Sequence, residues 1–238
     1  MPSDDSIVTQ PQVHRTDVKP NRMANIQTPS ATTQRLEAFS DGVIAIAITL
    51  LVLQIRVPHV ENGSLLDALL QQWPSYVAFV ISFVVIGIMW VSHHSMFERI
   101  VRVDRGLLFV NLALLLGIAF LPFPTALLAD YVREGGQNSH IAAAIYSGTM
   151  VFIGLAFMGM WAHLLGRPHL LVEGLPEGGI RRALQRSAVA PVVYGLTIGL
   201  AFVSAEACFV VYALIAVYFA AGPSSRALNP AVVANEPK

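Results

Sequence analysis

Apolar residues fall in long blocks separated by short polar stretches, with no strict alternation of the kind a half-buried strand shows. Four blocks run over Leu36–Val57, Trp73–Phe97, Leu107–Leu128 and Ile141–Leu165. Each matches the ~20 residues a helix needs to cross a bilayer. A fifth block, Ser187–Ala221, is 35 residues long. As one helix it would measure about 52 Å, well beyond a hydrocarbon core of ~30 Å. It therefore divides into two spans, with the turn expected near Ser204–Glu206, although no Gly or Pro marks it. The pattern predicts an all-α polytopic membrane protein with six transmembrane helices. Residues 1–34 and 223–238 are polar, lack apolar periodicity and read as disordered tails around a six-helix domain at 35–222.

Composition agrees. Of the 238 residues, 13% are charged and 55% apolar, and basic and acidic residues number 15 each. So little charge does not cover a water-facing surface, and a zero balance gives no electrostatic footprint for nucleic acid. A single cysteine, Cys208, excludes an internal disulfide and a thiolate cage.

The basic residues orient the spans. With six crossings, both tails share one side with the loops that follow the second and fourth spans. That side carries 13 of the 15 Lys and Arg residues, leaving Arg56 and Arg133 opposite. Retention of Lys and Arg in the cytoplasm then places both termini there.

Ionisable residues at membrane depth need a partner or a task. The first span opens Arg35-Leu-Glu37-Ala-Phe39-Ser40-Asp41-Gly42. Arg35 and Asp41 lie about 240° apart around a helix, so they do not pair on one face. Ser40 or Asp41 can serve simply as a helix cap. The second span closes with Trp90, His93 and His94 at the same membrane level. These residues either sit among headgroups or join Arg35, Ser40 and Asp41 in one polar cluster. Adjacent histidines diverge by about 100°, which argues against a shared metal. Further along the first span, Ile46, Thr49 and Leu53 share a face and Leu50 lies beside it. Such a stripe faces lipid, core or a pore. No nucleophile elbow, His-Glu-x-x-His motif or one-faced carboxylate pair points to an enzyme, and nothing calls for a cofactor.

The run Arg35-x-x-x-Phe39-Ser40-Asp41, followed by Gly-Val-Ile-Ala-Ile-Ala-Ile-Thr-Leu-Leu-Val-Leu, resembles the signature of the transmembrane protein 175 family. Trp90-Val-Ser-His93-His94-Ser-Met-Phe97 and Leu121-Pro-Phe-Pro-Thr125 are similar to its prokaryotic branch. The resemblance covers about residues 35–222 and implies a potassium-selective channel in a prokaryotic cell membrane, its first helix lining the pore. It implies Ile46 and Leu53 as apolar constrictions, Leu50 beside them and Thr49 as a hydroxyl layer, with K+ the only metal bound and only in transit. It implies Arg35, Phe39, Ser40, Asp41, Trp90, His93 and His94 as the network anchoring the pore helix. The vertebrate members carry two six-helix repeats and pair as dimers, so one copy of the motif here implies a homotetramer. Some members also pass protons. An ion-coupled transporter and a non-conducting scaffold are the alternatives.

Overall fold

The computed structural model describes residues 29–60, 63–132 and 135–221. The tail residues 1–28 and 222–238, and Arg133, lie outside them.

The first helix, α1 (Ala31–Leu50), begins inside the segment expected to be tail. The Ser30 hydroxyl caps it, accepting from the Thr33 amide at 3.2 Å, and Thr33 Oγ1 donates to the Val101 carbonyl at 3.1 Å. Those bonds order a turn that hydrophobicity alone does not predict. A 3-10 turn over Leu51–Gln54 extends α1. After a short α2 (Leu65–Gln71), α3 (Trp73–Phe97) carries Pro74 in its first turn, where a missing N–H costs nothing.

The third apolar block is not one regular helix. It forms α4 (Arg105–Phe120), capped by Asp104, and α5 (Pro122–Tyr131). Pro122 and Pro124 have no amide hydrogen to continue the α ladder. The Leu121 amide instead takes the Ile118 carbonyl at 3.2 Å, and the Thr125 amide resumes the ladder on Leu121. The long α6 (Gly136–Leu165) comes next, then α7 (Glu177–Ser187), α8 (Val189–Ala201) and α9 (Ala205–Ala221). The turn in the last apolar block falls at 202–204, slightly before the expected position. Ser204 starts α9, its Oγ accepting from the Ala207 amide at 3.1 Å and donating to Glu206 Oε2 at 2.9 Å.

Among the described residues, four helical stretches are long and apolar enough to cross a membrane: Ala31–Gln54, Trp73–Phe97, Arg105–Tyr131 and Gly136–Leu165. The fold is all-helical. At its centre α6 packs on α4, α5 and α8, while α1 lies against α3, α4 and α5. Two glycines let helices close on one another. A Cβ at Gly117 would stand 2.6 Å from Ile153 Cγ1 of α6, and one at Gly154 would stand 2.7 Å from the Pro191 ring of α8. Buried hydroxyls join the same helices. Ser147 bonds Thr197 at 2.9 Å and Tyr212 at 2.7 Å, linking α6, α8 and α9. Ser82 bonds Thr125 at 2.8 Å, linking α3 to α5.

Candidate functional site

Along α1, Thr33, Leu36, Ser40, Ile44 and Ala47 are buried, recurring every three or four residues and facing the other helices. The opposite face is exposed over its whole length. It carries Arg35 and Phe39, then Ile46, Thr49, Leu50 and Leu53; Ile46 is 61% and Leu53 71% exposed. The four residues grouped by spacing therefore share one exposed stripe among the described residues. Thr49 Oγ1 turns back on its own helix, donating towards the Ala45 carbonyl at 3.0 Å and the Ile46 carbonyl at 2.9 Å. Its hydrogen is used, and its lone pairs are what the exposed face presents.

Three bonds hold the first turns of α1 from two sides. Towards α3, Trp90 Nε1 donates to Asp41 Oδ1 at 3.0 Å, and His94 Nδ1 meets Glu37 Oε1 at 3.0 Å. The Trp90 and His94 rings stack with centroids 5.9 Å apart. Towards α4, a buried chain runs in one direction. His93 Nε2 donates to Asn111 Oδ1 at 2.9 Å, Asn111 Nδ2 donates to Ser40 Oγ at 2.9 Å, and Ser40 Oγ donates to the Leu36 carbonyl at 2.8 Å. An amide acceptor on Nε2 fixes the proton on that nitrogen. The other nitrogen, His93 Nδ1, is buried without a partner among the described residues. The neighbouring histidines thus take separate roles, one in the core and one at the edge.

Two expected members of this network stand apart. Arg35 is exposed and has no hydrogen-bond or ion-pair partner among the described residues, and Phe39 is 53% exposed on the outer face. Two participants were not anticipated. Asn111 was legible as a lone amide in the run Leu107–Phe120, because a buried polar group in an apolar span must find a partner. Glu37 had no such signal, standing beside two other ionisable residues.

A second polar group lies where α4 starts and α6 ends. Asp104 Oδ1 accepts from the Leu107 amide and from His163 Nε2, both at 2.8 Å, and its Oδ2 lies 3.1 Å from Arg167 Nε. Burial pushes the Asp104 carboxyl up, but the amide, His163 and Arg167 together hold it below the ordinary aspartate value. At the other end of α1, Arg56 Nη2 pairs with Asp130 Oδ2 at 2.7 Å in the open. Among the described residues no group of three His, Cys, Asp or Glu side chains could hold a metal ion.

Residues 35–122, which contain this anchoring network, match the family model described as endosomal/lysosomal potassium channel TMEM175. A protein from Streptomyces collinus named as a potassium channel is 50% identical over 186 residues, which is 78% of this chain and 90% of that protein. The chain belongs to the TMEM175 family. Its architecture matches that of a solved protein from Chamaesiphon minutus, described as a homolog of the lysosomal potassium-selective channel TMEM175. The TM-score is 0.72 at 38% identity, over 81% of this chain and 98% of that one. Human TMEM175, named as an endosomal/lysosomal proton channel, is 31% identical over 168 residues, 66% of this chain and 33% of that protein. The TMEM175 match thus extends well beyond the window of the family model, across most of the helical body.

Proposed function

We propose that this protein is a passive potassium channel. Four copies assemble around an axis lined by the exposed face of α1, with both termini in the cytoplasm of a prokaryotic cell. The observation that carries the reading is the division of α1 into two faces. One is tied by directional bonds to α3 and α4; the other bears Ile46, Thr49 and Leu53, all exposed among the described residues. The name of the Streptomyces relative supports potassium as the ion.

The six-span reading adds α8 and α9 to the four long helices. At 13 residues α8 would be about 20 Å long, and at 17 residues α9 would be about 26 Å, with α7 running into α8 through Ala188. The described residues between 35 and 221 then belong to one channel domain between cytoplasmic tails.

Ile46 and Leu53 act as apolar rings that gate by dewetting, and Thr49 supplies oxygens that replace part of the ion's water. Because its hydrogen is committed to the backbone, Thr49 offers acceptors only. A cation gains from such a layer and chloride does not. Asp41, Glu37 and Arg35 lie below the stripe, at the anchored end, so the lining itself carries no charge.

Purified protein in liposomes tests the proposal. Potassium should leak down its own gradient without ATP or a proton gradient. Flux that needs a proton gradient would favour an ion-coupled transporter, and absence of flux from a stable protein would favour a scaffold. A mass in detergent equal to four chains is expected; a monomer would remove the shared axis.

A further inference from the structure

A cavity of about 230 Å³ lies between α3, α6, α7, α8 and α9, away from α1 and its anchoring bonds. Its wall on α3 is the row Val85, Met89, Ser92 and Ser95, continued just past the end of the helix by Arg99. These recur every three or four residues, so they form one stripe about 20 Å long. Met150, Ile153, Phe157 and Trp161 of α6 form a second stripe beside it. The two run to the same end, where the Arg99 carbonyl accepts from the Val172 amide at 3.0 Å, in the segment after α6. Phe219 closes part of the wall from α9.

The cavity is polarised along its length. Its deep wall is apolar, whereas arginines gather at one end: Arg99 after α3, and Arg182 and Arg186 on α7. No Asp or Glu lines it among the described residues. The Arg182 Nε donates to the Gly178 carbonyl of its own helix at 3.2 Å. The Arg99 side chain is half-buried and has no hydrogen-bond or ion-pair partner among the described residues. Burial lowers its pKa, against the pull of the neighbouring Glu98. A partly desolvated guanidinium in this position favours an anion that accepts its hydrogen bonds.

We propose that this cavity binds an anionic membrane phospholipid, with one acyl chain along the apolar stripe and the phosphate against Arg99 and Arg182. An apolar slot long enough for a chain, ending in arginines and with no Asp or Glu in its lining among the described residues, matches that amphiphile better than a compact solute. The inference rests on the membrane-spanning reading of these helices and not on ion conduction.

Native mass spectrometry of the full chain in detergent tests it, with added phosphatidylglycerol, phosphatidylcholine, oleate or inorganic phosphate. Phosphatidylglycerol should be retained saturably and in preference to the other three. R99Q combined with R182Q should weaken that retention about tenfold, the loss of roughly one charge-assisted hydrogen bond, while the lipid-free melting temperature stays within error. R99K should restore part of it. A183L, in the slot wall at α7, should obstruct the chain and also reduce retention. Equal binding of phosphatidylcholine, equal binding of oleate, complete competition by inorganic phosphate, or full retention by the double arginine variant would each overturn the proposal. Retention by a protein that passes no potassium would support it and leave only the channel reading at fault.

Discussion

Trp90 Nε1 donates to Asp41 Oδ1 at 3.0 Å, joining α3, two turns before its end, to the third turn of α1. The acceptor is a carboxylate and the pair is partly open to solvent, so W90F should lower stability by about 1 kcal/mol. Thermal melting in detergent would register it. Potassium flux should fall by more than the folded fraction does, because the bond sets where α1 stands. Unchanged flux at full stability would detach this bond from the function.

The His93–Asn111–Ser40 chain is buried throughout, so its loss should cost more than the loss of an open bond. N111L leaves the His93 Nε2 hydrogen with no acceptor and should cost about 1–3 kcal/mol. Adding H93F removes the stranded donor and should recover part of the loss. Denaturation of the two variants side by side measures this; no recovery would mean that shape rather than hydrogen bonding governs the site.

On the exposed face of α1, I46N and L53N should each raise basal potassium flux, since an amide wets an apolar ring. T49V keeps the side-chain volume but removes the oxygen. It should reduce potassium over sodium selectivity about tenfold, equivalent to roughly 1.4 kcal/mol of ion stabilisation, whereas T49S should keep it. Flux assays with each ion decide, and no change in any of these variants would remove α1 from the pore.

Asp104 should make stability fall in acid. Its carboxyl is held below the ordinary aspartate value of about 3.9. A lowered folded value stabilises the protein above the unfolded value, and that contribution disappears as pH falls through the folded value. The parent should therefore lose more melting temperature than D104N between neutral pH and about pH 3, a window set by that ordinary value. Asn still caps α4, so D104N isolates the charge. Parallel acid profiles of the two proteins would contradict the assignment.

Gly106 lies two residues after Asp104, and a Cβ there would overlap the His163 ring. G106A should push His163 off Asp104 and cost about 1–3 kcal/mol. Its melting profile should then show less acid sensitivity than the parent, and a neutral effect would show that His163 moves aside freely.

Much of this architecture is visible in the pattern of apolar blocks, because a helix in lipid must satisfy its own backbone and present apolar side chains. The α3 block, Trp73–Phe97, carries the same bounds in the sequence and in the structure. Other features depend on local chemistry that hydrophobicity does not register. Pro122 and Pro124 divide the third block without lowering its apolar content. With the sequence EGGIRRALQRS, α7 is too polar to stand out and buries only Gly179 and Ile180. At the site, spacing sets His93 apart from His94 and puts Ile46 on one face with Thr49 and Leu53. Spacing does not reveal that Asn111 is the partner of Ser40, since the two lie 71 positions apart and only the packing of α1 on α4 joins them.

The bonds on Glu37, Ser40 and Asp41 restrict how α1 can move. They approach from two neighbouring helices, and hydrogen bonds fail quickly with angle. A rotation of α1 about its own axis by one residue step, about 100°, would break all three together. Beyond Gly42 the packed face is apolar, and the distal Arg56–Asp130 pair is exposed and restrains little. The helix is a post set in a footing: its bonds resist a twist more than a lean. Leu53 stands about 20 Å above Ser40. A lean of a few degrees moves it by more than an ångström and Ile46 by half as much, so an iris built from this helix would widen first at the end furthest from its footing.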